Sequence, residues 1–157
     1  MKIYLLYQSK DSKNHYADAE RLFIGRIAKY IKFEAIQLAP LKISKSLNSE
    51  QVQQKEMEYF QSRIPVGSRV YLLDEKGKRY ASRDFAKWLD NQMAYDSRDI
   101  CFVIGGAYGF SKTFKQLAEG QLSLSDMTMA HHLARVVFLE QLYRGFTIIN
   151  NEPYHND

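Results

Sequence analysis

At 157 residues, with 45% hydrophobic and 25% charged residues, the chain is long enough for one domain with a real core and has the composition of a folded soluble protein, which excludes disorder. A single cysteine, Cys101, excludes an internal disulfide and a cysteine-based zinc site, and no apolar run is long enough for a transmembrane helix. The net charge of +4 permits a polyanionic partner without requiring one, and the N-terminus lacks the pattern of a secretory signal, so a cytoplasmic location is expected.

In chain order, Lys2–Gln8 predicts a strand, and Tyr16–Lys32 a helix with Ala19, Phe23, Ile27, Tyr30 and Ile31 on one face. A second strand over Phe33–Leu38 is closed by Pro40, and the polar segment Leu41–Asn48 reads as a mobile loop. A polar helix follows over Ser49–Arg63, broken by Pro65-Val-Gly67, and then a strand over Arg69–Asp74. Glu75-Lys-Gly-Lys78 reads as a turn. Lys76, Lys78, Arg79 and Arg83 cluster around it, either as a phosphate-contacting loop or as a solvated connection.

Ser82 opens a helix to about Tyr95 whose buried stripe is Phe85, Trp88, Leu89 and Met93. The β-branched run Ile100–Ile104 then passes directly into Gly105-Gly-Ala-Tyr-Gly109. Glycine admits positive φ and lets a ligand approach the backbone closely, and Ser111 is a good N-cap for a short helix to Glu119, so this corner suits a ligand pocket. A tight strand-to-helix turn with no ligand is the alternative. The spacing fits neither the dinucleotide fingerprint nor the phosphate-binding loop with its Lys-Ser/Thr pair. A short strand over Gln121–Ser125 precedes a long helix over Thr128–Ile149.

That last helix carries Leu133, Val136, Leu139, Leu142, Phe146 and Ile149 on one stripe and Val137, Phe138, Tyr143 and Ile148 beyond it. A helix apolar on more than one side needs cover on more than one side, which a second subunit can supply. Alternating strands and helices predict an α/β fold with a mainly parallel sheet and helices on both faces. Cys101, inside an apolar strand, reads as a buried structural thiol.

Four pieces taken together carry a resemblance: Val70-Tyr-Leu-Leu-Asp-Glu-Lys-Gly77; Phe102-Val-Ile-Gly-Gly-Ala-Tyr-Gly109; Leu122–His131 followed by Arg135–Arg144; and Pro153-Tyr-His155. The chain resembles the RlmH-type ribosomal large-subunit methyltransferases of the SPOUT class over essentially its whole length, most loosely between Leu41 and Arg63. The resemblance implies a single domain over 1–157, a C-terminal trefoil knot and a homodimer. It also implies S-adenosylmethionine as cofactor, no metal, and methylation of N3 of a pseudouridine in 23S rRNA on assembled ribosomes. Carried onto this sequence, the cofactor positions are Leu73, Gly105 and the run Leu124, Ser125, Asp126, Met127, Thr128 and Met129.

Adenosylmethionine needs an apolar slot for adenine with backbone donors and acceptors at its edges, and Leu73, Leu124, Met127 and Met129 can supply the slot; each methionine alone fits core packing equally well. It carries no phosphate, so the glycines fit a tight crossing of the chain and close approach of the cofactor better than an anion nest. Methylating an imide nitrogen requires removal of its proton, stabilisation of oxyanion character on the base and in-line placement. His131, Arg135, Tyr154 and His155 are the expected catalytic residues, while His132 is expected to be structural. Arg135 and Arg144 alternatively form ion pairs of a surface or interface. The tail from Pro153 has no core-forming pattern, and in a dimer the partner's pocket can order it.

The sequence departs from the family pattern where Ala130 replaces a proline before the motif histidine, Ser9 replaces an early glycine, and Tyr108 stands inside the glycine turn. Tyr108 either stacks on a base or caps the turn. Two other readings stand beside the main one: a non-catalytic ribosome- or RNA-binding protein of the same fold, against which the retention of Gly105, His131, Tyr154 and His155 argues, and a SPOUT methyltransferase acting on another RNA such as tRNA.

Overall fold

In a computed structural model, which describes residues 1–10 and 15–156, the chain alternates strand and helix throughout. The strands are β1 (Lys2–Gln8), β2 (Lys32–Leu38), β3 (Arg69–Arg79), β4 (Ile100–Ile104) and β5 (Gly120–Ser123). The helices are α1 (Ala17–Ile27), α2 (Ser49–Gln61), α3 (Ser82–Tyr95), α4 (Lys112–Leu117) and α5 (His131–Ile149). The five strands form one sheet in the order β2-β1-β4-β3-β5, and every pairing is parallel. The expected α/β architecture is therefore present.

Strand alternation divides the core into two layers. Ile3, Leu5 and Tyr7 of β1 and Ile100, Phe102 and Ile104 of β4 face α1, α3 and α5, whereas Leu6, Cys101 and Val103 face α2 and α4. Central parallel strands covered on both faces must be apolar throughout, which is why Ile100–Ile104 is buried at every position. The abundant aromatics fill the first layer, with Phe102 4.7 Å from Phe138 and Tyr71 edge-on to Trp88 at 5.0 Å. Burial pushes the Cys101 thiol up to about 12, consistent with a structural residue.

Several boundaries differ from expectation. Helix α1 stops at Ile27, because Lys32 already pairs with Lys2; Tyr30, expected on the helix, instead stacks on Phe146 from the following turn at 5.5 Å. Ser111 caps α4 by accepting from the Phe114 N–H at 3.1 Å, as expected, but Ser82 does not cap α3: its hydroxyl donates to Gln141 on α5. Helix α5 begins at His131, three positions later than its predicted start at Thr128.

The largest correction concerns Glu75-Lys-Gly-Lys78. The chain does not turn back there; β3 runs on to Arg79, with Asp74–Gly77 bulging so that both Leu73 and Lys78 stand opposite Leu122 of β5. Gly77 is present for proximity, not for a turn. A Cβ at Gly77 would lie 2.6 Å from the Leu122 nitrogen and 2.7 Å from the Gln121 carbonyl carbon, so the β5 backbone packs against Gly77 with no room for a side chain. The tight backbone approach at glycine is found at Gly77, while Gly105 and Gly106 adjoin the side chains of Phe110 and Glu56.

Ala130, where the family pattern has proline, adopts φ −59° and ψ 141° as the N-cap of α5. Proline favours that φ, so Ala130→Pro is expected to stabilise the protein by ~0.4–1 kcal/mol by restricting the unfolded chain, a rise in Tm of roughly 1–4 °C. A fall in the thermal midpoint of the variant would contradict this.

Candidate functional site

The bulge of β3 and the C-terminal ends of β4 and β5 open together into one cavity of about 530 Å³, within the range of small-molecule sites. This is where a parallel α/β sheet places ligands, because the segments leaving the strands converge there. Leu73 and Asp74 come from β3, Ile104 and the glycine turn from β4, and Leu124, Ser125, Met127, Thr128 and Met129 follow β5; His131 and Ala134 close one side from the first turn of α5.

The walls are chemically divided. Leu73, Ile104, Leu124 and Met129 offer an apolar slot, while the bare backbone of Gly105–Gly109 and the charges of Asp74, Glu75, Lys76, Lys112 and Lys115 line the rest. Asp74 is nearly buried and pairs with Lys115 at 2.7 Å, and it also accepts the Lys76 N–H at 2.8 Å, which shapes the bulge. Within the glycine turn, Gly109 has φ +69°, and a Cβ on Gly105 would lie 2.9 Å from the Phe110 ring. Tyr108 projects into solvent at 58% exposure, and its carbonyl accepts from the Gln53 amide at 2.6 Å.

The structure brings together most of the expected cofactor residues: Leu73, Gly105, Leu124, Ser125, Met127, Thr128 and Met129 all line the cavity. Asp126 does not; it faces outward and pairs with Arg79. Of the expected catalytic residues, His131 lines the cavity. Desolvation by the wall lowers its imidazole pKa, against an opposing hydrogen bond with the Gly105 backbone and with smaller contributions from His132 and Arg135. A neutral imidazole keeps one ring nitrogen as a proton acceptor. An imidazole NMR titration is expected to give His131 a midpoint below 6.5. With the folded value depressed, the folded protein binds less proton than the unfolded chain, so this group's effect on stability is a loss as pH falls below the ordinary histidine range. A midpoint at or above 6.5 would contradict the assignment.

Arg135, expected at the substrate, is elsewhere. The residue is 2% exposed, and its guanidinium pairs with Glu20 of α1 at 2.9 Å, contacts His132 Nδ1 at 2.7 Å and lies 4.4 Å over the Tyr7 ring. The reason is physical: a cation on the inward face of α5 must be neutralised, and Glu20 does so, tying α1 to α5. His132 holds the structural place expected of it.

Tyr154 and His155 also lie apart from the cavity. The tail folds back onto the second half of α5: the Tyr154 hydroxyl donates to Glu140 at 3.1 Å, its ring meets Tyr143 at 4.7 Å, and Arg144 contacts both that ring and His155 Nδ1, the latter at 3.1 Å. Glu152 accepts from the Tyr30 hydroxyl at 2.7 Å. At the ~1.5 Å rise per residue of a helix, Arg144 stands roughly 20 Å along α5 from His131. Within one chain, then, tail and cavity are separate.

Sequence reasoning missed Asp74, Gln53 and Glu56. Asp74 was visible as a charge ending an apolar strand at the edge where ligands bind, whereas Glu56 stands out only once α2 is seen to bury Val52, Glu56, Met57 and Phe60. Among the described residues, no cluster of His, Cys, Asp and Glu suited to a metal occurs, and no helix is long and apolar enough to cross a membrane.

Comparison with known proteins gives a consistent result. The profile of a family described as "Predicted SPOUT methyltransferase" matches residues 1–155. A protein of Phocaeicola vulgatus named ribosomal RNA large subunit methyltransferase H is 38% identical over 157 residues, covering 100% of both chains. One of the same name from Flavobacterium johnsoniae is 44% identical over 134 residues, 85% of each. A solved structure, the SpoU methyltransferase AviRb from Streptomyces viridochromogenes in complex with the cofactor AdoMet, aligns with 90% of this chain and 56% of its own at TM-score 0.38 and 11% identity, too slight a likeness to argue from.

Proposed function

Because this chain belongs to the SPOUT methyltransferase family, we propose that it is an S-adenosylmethionine-dependent methyltransferase that modifies N3 of a pseudouridine in the 23S rRNA of assembled ribosomes. The observation that carries the reading is the single cavity in which Leu73, Gly105 and the Leu124–Met129 segment meet His131. Its size and its pairing of an apolar slot with open backbone fit a nucleoside bearing an amino-acid arm. The apolar side chains of Leu73, Leu124 and Met129 would hold adenine, and the Gly105–Gly109 backbone would approach the polar arm.

The cofactor supplies an electrophilic methyl group on a sulfonium. The residues of this chain have the remaining work. His131, neutral at the cavity rim, accepts the N3 proton, directly or through a water molecule, so that the imide nitrogen becomes a nucleophile. The crowded wall of Ile104, Leu124 and Met129 limits water around the reacting nitrogen. Lys76 and Lys112 at the mouth attract the phosphate backbone, and Tyr108 offers an aromatic face to a base.

The working unit in this reading is a cytoplasmic homodimer with a knotted C-terminal region. Support for the knot is the close passage of Gln121–Leu122 over Gly77, and support for the dimer is the partly exposed apolar edge Leu133, Val136 and Val137 on α5, in the helix that carries the tail. Tyr154 and His155 then serve the partner's cavity, and their separation from His131 within one chain favours action across the dimer. Isothermal titration with S-adenosylhomocysteine tests the reading: binding near the micromolar range is expected, and no heat at about millimolar ligand would overturn it.

A further inference from the structure

Helix α2 lies in the part of the chain where the family resemblance is loosest, yet it grips the glycine turn at two points. The Gln53 amide donates to the Tyr108 carbonyl at 2.6 Å, and Glu56, one helical turn on, lays its carboxylate directly against the Gly106 backbone, in the space a Cβ there would take. Residues three apart on a helix share a face, so both reach the same loop. Glu56 is 8% exposed, its Oε2 has no partner among the described residues, and burial raises its carboxyl pKa against the Gly106 hydrogen bond. A buried carboxylate with an unsatisfied oxygen is costly to fold, and a leucine at that point in the stripe would be cheaper. Gly106 makes room for it: a Cβ there would overlap the Glu56 carboxylate.

We propose that Glu56, assisted by Gln53, is a positioning residue that fixes the Gly105–Gly109 backbone in the shape that receives the cofactor. The proposal rests on reading the cavity as the adenosylmethionine site. The Gly109 N–H bonds to the Gly106 carbonyl at 3.1 Å, so the turn is closed on itself and its orientation is set from outside, by the two anchors on α2. The anchored peptide leads directly from Gly105, which lines the cavity with His131, so the same clamp also bears on the wall beside the proton acceptor.

The test uses the full chain and two readouts: amide hydrogen exchange at Gly106 by NMR without ligand, and S-adenosylhomocysteine affinity by calorimetry. Glu56→Ala is expected to speed Gly106 exchange and weaken affinity, each by about tenfold or more, because it removes the buried group packed against the Gly106 backbone. Glu56→Gln should keep both within about threefold, because it leaves a group of the same shape, with an acceptor oxygen, against Gly106. Gly106→Ala, which displaces the carboxylate, should reproduce Glu56→Ala and stands in for it if that variant does not fold. Faster exchange with unchanged affinity, or a lower Tm with both readouts unchanged, would overturn the proposal, since a residue that only stabilises the fold gives that pattern. Glu56→Gln behaving like Glu56→Ala would overturn it too, by putting the effect in the charge. If the wild-type protein binds no S-adenosylhomocysteine, the cofactor reading fails by itself, and unchanged Gly106 exchange in Glu56→Ala would then show that no clamp exists.

Discussion

A chain ending before Pro153 is expected to bind S-adenosylhomocysteine with unchanged affinity and to transfer methyl at least about a hundredfold more slowly, the usual contribution of a positioned acid, base or oxyanion partner. The cavity owes nothing to the tail: none of its lining residues lies beyond Ala134. What truncation removes is Tyr154 and His155, held by Glu140 and Arg144 roughly 20 Å from His131 along α5. If these groups act on the substrate, they act in a second copy's cavity. Mixing makes that explicit. A chain with His131→Ala and a truncated chain are each inactive, but a mixed dimer has one cavity with an intact His131 and the other copy's tail, so a random mixture should recover roughly a quarter of the sites. A tail serving its own cavity would recover none, and full activity of the truncated chain would remove the tail from catalysis.

Gly77→Ala is expected to cost about 3 kcal/mol, the top of the range for overpacking, because the added carbon meets backbone and not a movable side chain. For a chain of this size that is a fall in Tm of roughly 6–12 °C. The effect reaches function: the same close approach lies beside the Leu73–Leu122 pair, and Leu73 and the Leu124–Met129 segment both border the cavity. S-adenosylhomocysteine affinity should therefore fall even at temperatures where the variant is folded. By contrast, Gly25→Ala, at a position with open space around it within α1, should be neutral or slightly stabilising. Thermal melts of the two variants side by side check the contrast, and equal midpoints would contradict it.

The difference between these two glycines also shows where sequence stops speaking. The strand Ile100–Ile104 and its glycine turn were legible, because a buried parallel strand must be continuously apolar and the glycines follow it directly. Gly77, between two lysines, carries the local signature of a turn; only the passage of β5 over it, more than forty positions later in the chain, reveals why a side chain is excluded. The end of α1 was hidden for a related reason. Tyr30 and Ile31 continue the helical stripe, and pairing of Lys32 with Lys2 overrides it.

The site divides in the same way. Leu73, Gly105 and the run after β5 could be carried over by motif, and all but Asp126 line the cavity. Arg135 could not be placed, because periodicity gives a face but not the Glu20 that waits on α1 to neutralise it. Glu56 is invisible for the converse reason: in a polar helix one more glutamate attracts no notice, until burial and its contact with Gly106 single it out.

The most direct test of the account is incorporation of tritiated methyl from S-adenosylmethionine into ribosomes purified from a strain lacking the gene. The wild-type chain should label 23S rRNA at N3 of one pseudouridine, with His131→Ala reduced by about a hundredfold or more. No label in the ribosomal RNA despite tight S-adenosylhomocysteine binding, or equal labelling by His131→Ala, would contradict it.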